Sequence, residues 1–578
     1  MKTWIILIFF LFALQPLSSQ IFLNLDFEYP EFQKQTPKHW NLGGEGYTFH
    51  LDSLIKSKGR YSLRVSSGEQ ITGNSYATCT GNFPVDAARG KRLLIKGKIK
   101  TQGIEKGAAM LWCRVDGIDG MLAYENMKEP PVRGDADWTE ATIELKVDEQ
   151  VKNINFGASL VGKGIAWFDD IEAFIDGERY LDTPPILRGP TEQEILWLAE
   201  HVRPLKSYDP EYEEDEDLAV LQKMIGDARI VGLGEVTHGS KEIFKMKHRL
   251  VRYLRENMGF DTFSIEANMP EAYRLNDYTL RGVVDPAELI RGMYFWTWRT
   301  QEVLDMVNWM KAHNDASPKK IRFTGFDMQY YEWSLEVLKK LTGKEAETTI
   351  SKMEVTLRDI REKRRANRGR YLPDSEEETR MQEYLSELRN WIEAQVEAEK
   401  DKAWGMQNVR LIEQYLYYQD FLKRDQYMAE NVAWIAQQNP DSKIVLWAHN
   451  GHIQESDSRM GQYLDRQFGE DYVSIGFAFH EGAYTAWGAN GLATFPAEPS
   501  YPGTYEYFFQ SIEKPIFLLD LREASREEPA ARWIFQNLEF RHTGAVATPD
   551  EFQETALYDD FDMIIFINTS SSSKLLGE

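Results

Sequence analysis

The sequence predicts two domains of different class: an antiparallel β-sandwich of jelly-roll type, then an α/β domain with a largely parallel sheet and a long helical insertion. Three patterns carry this reading. From Ile21 to Asp182, short alternating runs between turn residues (RYSLRVSS, KRLLIKGKIKT, AAMLWCRVDG, TEATIELKV, INFGASLVG, IAWFDDIEAFIDG) have the two-residue period of half-buried strands. Beyond them, apolar runs alternate with helical periods: ARIVGLG, SKEIFKMKHRLVRYLRENMG, DTFSIEA, EVLDMVNWMKAHN, IRFTGFD, KIVLWAH, YVSIGFAF, IFLLDL and DMIIFIN. That order builds a parallel sheet, because parallel neighbours need crossover connections. Between Leu341 and Gln438 the chain is charged and helical, as in TLRDIREKRRANRGR and SEEETRMQEYLSELRNWIEAQVEAE, and either covers a site or runs out into solvent.

Each segment has its own local reason. MKTWIILIFFLFALQPLSSQ has one Lys, an apolar run and then Pro16 with small residues, the order of a signal peptide over residues 1–19. The protein is therefore expected to be secreted or periplasmic, with no stable membrane span after cleavage. The sandwich is assigned to 20–182. TPPILRGPTEQE, with three prolines, marks a linker over 183–195, and the α/β domain fills 196–578. DPEYEEDEDL reads as an acidic run solvating a helix start. Two cysteines, Cys79 and Cys113, leave a disulfide open in an exported protein. Among the tryptophans of the first domain, Trp40, Trp112 and Trp138 are read as core before sugar-stacking groups. A net charge of −24 in 578 residues argues against binding nucleic acid through its phosphates. No oligomeric state follows from the sequence.

Chemistry concentrates at strand ends. ARIVGLG runs into Glu235 and His238, DTFSI into Glu266 and Asn268, IRFTGF into Asp327 and Gln329, and KIVLWA into His449, Asn450 and His452. Ligands and catalytic groups of open α/β sheets gather at the carboxyl ends of strands. Three of the chain's ten histidines fall on this one predicted edge.

GLGEVTHGSKEIF, SIEANMPEAYRLNDY, FWTWRTQEVLDMVNWM, FTGFDMQ and VLWAHNGHI, in this order, resemble the erythromycin esterase family over most of the chain after the linker. NLDFE, Pro37, Trp40 and FDDIEAFIDG resemble the boundaries of galactose-binding-like jelly rolls, the fold of many carbohydrate-binding modules. The first resemblance implies hydrolytic opening of an ester, with Glu235, His238, Glu266, His449 and His452 as catalytic positions. It also implies a cation on the helix after His238, where Lys247, His248 and Arg249 compete.

Ester hydrolysis needs a nucleophile, a proton acceptor and donors for the developing oxyanion. No G-x-S-x-G occurs, so water activated by His238 is the simplest nucleophile, with Glu235 or Glu266 orienting the imidazole. His449 and His452 share the roles of acid and oxyanion donor without apportionment. Arg249, Arg299, Asp327, Gln329 and Asn450 are candidate substrate-binding or supporting residues, while Trp296 and Trp298 are read as core. No cofactor is expected. The alternative uses the same Glu/His cluster to hold Zn²⁺ or Mn²⁺, although E-x-x-H with H-x-x-H is a weak ligand pattern. The expected substrate is a small-molecule or glycan ester, a macrolactone included. A secreted carbohydrate-binding protein without activity is the other class to be weighed.

Overall fold

The computed structural model describes residues 22–577 except 32–34, 73–74, 118–119, 128–130, 183–187, 283, 368, 370, 419–420 and 549. Residues 1–19, where a signal peptide is expected, lie outside the described residues. The chain divides into two compact units, Met1–Pro185 and Ile186–Glu578. No helix among the described residues is long and apolar enough to cross a membrane.

The first unit is an antiparallel, nearly closed β-sheet organised by one long strand, Arg92–Gly117. Its first half pairs with Val132–Lys146 and Ile165–Ile175, and its second half with Gly120–Glu125 and Asn153–Gly162. Register shifts after Ile99 and Thr101 bend it between the two sets of partners. The predicted alternation is visible in Tyr76–Asn82, where every second residue is buried. Trp40 is core, packed edge-on against Phe156 at 5.2 Å. Both cysteines are buried free thiols. Cys79 pairs with Ala158, and Cys113 with Phe156, on opposite sides of the same intervening strand. Two strand spacings, roughly 9–10 Å, exceed the Cα separation a disulfide spans.

In the second unit the sheet runs in the order Arg322–Asp327, Thr262–Asn268, Ile444–Trp447, Ile230–Leu233, Tyr472–Gly488, Met563–Ser570, then Ile516–Asp520 and Arg203–Pro204. The first six are parallel to their neighbours along this path, and the last two are antiparallel. Ile230 stands opposite both Ile444 and Tyr472, and Leu233 opposite Trp447 and Ile475, so these strands end level. Residues just beyond Leu233, Ile265, Phe326 and Trp447 therefore meet along one edge. A register shift between Ile265 and Asn268 falls on Glu266, the kind of bulge that re-aims a side chain.

The helix Lys241–Met258 starts on Ser240, whose hydroxyl accepts from Ile243 N–H, and stops at Gly259 with φ 77°. Its sheet-facing stripe runs through Ile243, Met246, Lys247, Leu250 and Leu254. The predicted linker ends in a capping box, Thr191 with Glu194, that opens the helix Glu192–His201.

The insertion is helical, and it is more than an excursion into solvent. Its helices Glu347–Ala366, Ser375–Gln395 and Glu399–Tyr417 build a core of their own from Ile350, Leu357, Leu385, Ile392 and Ile412. The last helix, Phe421–Gln438, packs Met428, Val432 and Ile435 onto the main sheet with Phe326, Ile444 and Leu446. That return places Arg424 and Asp425 at the sheet's carboxyl edge.

Candidate active site

The turn after Ile230–Leu233 is held from several sides. Thr543 donates both N–H and Oγ1–H to Val236 O at 3.0 Å, and Asn450 N–H donates to Glu235 O at 2.8 Å. Gly239 lies so close to the next strand that a Cβ would meet Thr485 O at 1.9 Å, which leaves room only for glycine.

On this turn Glu235 is inaccessible to solvent and meets three donors. His238 Nδ1 lies 2.6 Å from Oε1, while Lys247 Nζ at 2.7 Å and Trp447 Nε1 at 2.6 Å donate to Oε2. A carboxylate against Nδ1 fixes the proton there and leaves Nε2 of His238 as the acceptor. Lys247 is the cation that faces the site. Burial lowers its pKa to about 8 against the opposing pull of Glu235, and its ammonium lies 4.3 Å from the Trp447 ring.

Glu266 forms the second centre. Its Oε1 accepts from Arg424 Nη2 at 2.9 Å and lies 3.2 Å from His452 Nε2, while Oε2 accepts the His449 N–H at 3.0 Å. Burial works against its charge, but His452 and Arg424 hold its pKa well below the usual carboxylate range. It is a permanent anion and no proton donor. Asp327, also buried, takes Arg424 Nε and Nη2 and the amide of Gln329.

The two histidines of VLWAHNGHI separate cleanly. His449 donates Nε2–H to Thr543 O at 3.1 Å and accepts Gly451 N–H on Nδ1 at 3.1 Å, and burial among other imidazoles pushes its pKa far down. Both nitrogens are spent on backbone, which corrects the expectation that His449 supplies a proton. His452 lies between Asp425, 2.8 Å from Nδ1, and Glu266; these carboxylates overcome burial and raise its pKa to about 9. As an imidazolium its Nε2 donates to Glu266, and Arg424 Nη1 at 3.1 Å is a like-charged neighbour, not a donor to it.

Other expected residues lie elsewhere or serve differently. Arg249, two residues from Lys247, points to the opposite side of its helix and is buried against Asp217 at 2.6 Å, Ser207 O and Glu214 O. The acidic run thus supplies counterions: Asp209, Asp215 and Asp217 bind Lys245, Arg252 and Arg249. Arg299 donates to the carbonyls of Arg291 and Tyr294 and braces that turn. Asn450 is buried and clamps the backbone of Phe477 through both side-chain atoms, a contact that braces the strand end. Gln329 is half-buried beside Asp327. Trp298 is core, yet it donates to Glu266 O and packs edge-on to His238 at 5.9 Å.

Arg424, Asp425 and His542 were missed. The first two sit in a charged helix where such residues recur every turn, and His542 follows the short strand Leu538–Arg541, which lies outside the main sheet and pairs with Phe552–Thr555. The donor set does not fit Zn²⁺ or Mn²⁺. The nitrogens of His449 and His452 and the oxygens of Glu235 and Glu266 are committed, and two cations, Lys247 and Arg424, sit among them.

The chain has known relatives. The chain is 28% identical to an erythromycin esterase type II of Escherichia coli, over 50% of this chain and 77% of that one. A solved protein of Bacillus cereus, 27% identical, covers 67% of this chain and 100% of its own, with a TM-score of 0.59. The β unit is similar to a family 22 carbohydrate-binding module of Clostridium thermocellum, 12% identical over 27% of this chain and 95% of that one, with a TM-score of 0.21. The erythromycin esterase family matches residues 255–570, beginning inside the helix that carries Lys247. The chain belongs to the erythromycin esterase family, a family of hydrolases.

Proposed function

We propose that this protein hydrolyses a carboxylic ester with a water molecule deprotonated by His238. One observation carries the reading: Glu235 engages Nδ1 at 2.6 Å, so the neutral imidazole keeps Nε2 as its basic nitrogen, oriented by a buried carboxylate. Water gives a proton to Nε2 while its oxygen bonds to the ester carbon. The carbonyl π pair moves onto oxygen, in the field of the Arg424 guanidinium and the His452 imidazolium. The oxyanion then collapses, the bond to the alkoxy oxygen breaks, and that oxygen takes the proton back from Nε2. Glu235 stabilises the imidazolium between the two transfers, and Lys247 and Trp447 keep Glu235 in place.

For the substrate, the reading favours esters of sugars or of glycosylated small molecules. A cleft of about 760 Å³ on the β unit is lined by Tyr76, Trp112 and Tyr124 beside Arg114, Asn126 and Asn155. Tyr76 and Tyr124 are exposed, and the Trp112 indole N–H is buried without a partner among the described residues. Aromatic faces beside amide and guanidinium donors suit the apolar face and hydroxyl rim of a sugar ring. An ester screen spanning macrolides, acylated sugars and aryl esters, run on the wild type and on His238→Asn, tests the hydrolytic reading. Glycan binding by the wild type and Trp112→Ala tests the cleft.

A further inference from the structure

Four imidazoles gather at this edge, and His542 is the one whose ring is uncommitted. His449 lies between the others, its centroid 5.1 Å from His238 and 4.9 Å from His542. His238 has spent Nδ1 on Glu235, His449 both nitrogens on backbone, and His452 both on carboxylates. Among the described residues nothing hydrogen-bonds to the His542 ring, although its backbone is fixed. His542 N–H donates to Glu551 O at 2.6 Å, and Thr543 is tied to Val236, two residues before the catalytic imidazole. The preceding Arg541 is buried and donates to the Glu551 carboxylate and to His480 O.

The charges around the ring favour its neutral form. Arg459, His452 and His238 face it, and with burial they lower its pKa to about 4. A neutral imidazole keeps one N–H donor. The site needs a donor for the developing oxyanion; Arg424 Nη2, the His449 ring N–H, both His452 N–H groups and Lys247 are bound to protein acceptors, and Arg424 Nη1 lies against the His452 imidazolium, which leaves the His542 ring as the uncharged donor. Resting on the hydrolytic reading above, we propose that His542 is a further catalytic residue, donating its ring N–H to the ester carbonyl oxygen as negative charge develops there. The hydrogen bond strengthens as the C–O bond to water forms, and no proton leaves His542 in the cycle.

The test uses the whole chain with two probes, 4-nitrophenyl acetate as ester and 4-nitrophenyl methylphosphonate as the tetrahedral anion, with a thermal melt as the folding control. His542→Phe should lower kcat by roughly 10²–10³ with KM within about threefold, the usual loss for one oxyanion donor. It should also weaken phosphonate binding about tenfold or more, and His542→Gln, which keeps an N–H, should recover most of both. An active wild type matched by His542→Phe overturns this inference alone, as does a Gln variant no better than Phe. A wild type no faster than His238→Asn overturns the hydrolytic reading and this inference with it.

Discussion

Lys247 Nζ lies 2.7 Å from Glu235 Oε2 with both side chains closed off from water, and the other oxygen of that carboxylate holds His238, the proposed general base. Removing one member of a buried pair leaves the other charge uncompensated. Lys247→Met should destabilise the second unit by about 3–5 kcal/mol in urea unfolding, a larger loss than the burial of a methionine restores.

The same lysine sets an alkaline limit. Burial holds its pKa at about 8, so its charge, and with it the anchor of Glu235, is lost as pH rises through that value. The kcat/KM profile should fall on this limb. Lys247→Arg, charged at any accessible pH, should move the limb upward if the longer head group is accommodated, and an unmoved limb would assign it to another group.

His452 links stability itself to pH. Its folded pKa of about 9 lies above its ordinary 6.5 because Asp425 and Glu266 face it, against Arg424 on the same side. The stabilisation is therefore complete below about 6.5, declines between 6.5 and 9, and amounts to roughly 3 kcal/mol. Tm should fall across that window, and the fall should flatten in His452→Gln.

Arg424 ties the insertion to the site. It reaches Glu266 and Asp327 through Nε and Nη2 at once, which an ammonium does not reproduce. Arg424→Lys should lose about 10²-fold in kcat/KM and Arg424→Leu more. A lysine variant with full activity would confine the guanidinium to a packing role.

Much of this edge was legible in the sequence. Strand ends that break from apolar runs into Glu, His or Asp announced Glu235, His238, Glu266, Asp327 and His452, because a parallel sheet aligns its carboxyl ends whatever the details of packing. The choice between Lys247 and Arg249 stayed open in the sequence, although a signal was present: Lys247 falls in the apolar stripe with Ile243, Leu250 and Leu254 and Arg249 does not. Arg424, Asp425 and His542 were not legible. Their place depends on how a long insertion returns and where a two-stranded side sheet ends, and no local period encodes either. His449 had the right address and the wrong inferred role, because Thr543, which occupies its Nε2, lies 94 residues away in sequence.

Metal dependence separates this account from its alternative. Prolonged chelation should leave activity intact, as the donor set requires, whereas loss on chelation and recovery with Zn²⁺ or Mn²⁺ would make the Glu/His cluster a ligand set.

The most direct test is the turnover number of His238→Asn on an ester that the wild type cleaves, with folding checked by thermal melt. Asparagine keeps an amide near the Glu235 contact and removes the basic Nε2. The account predicts a folded protein whose kcat has fallen by roughly 10²–10⁴. A folded variant with undiminished turnover would contradict it.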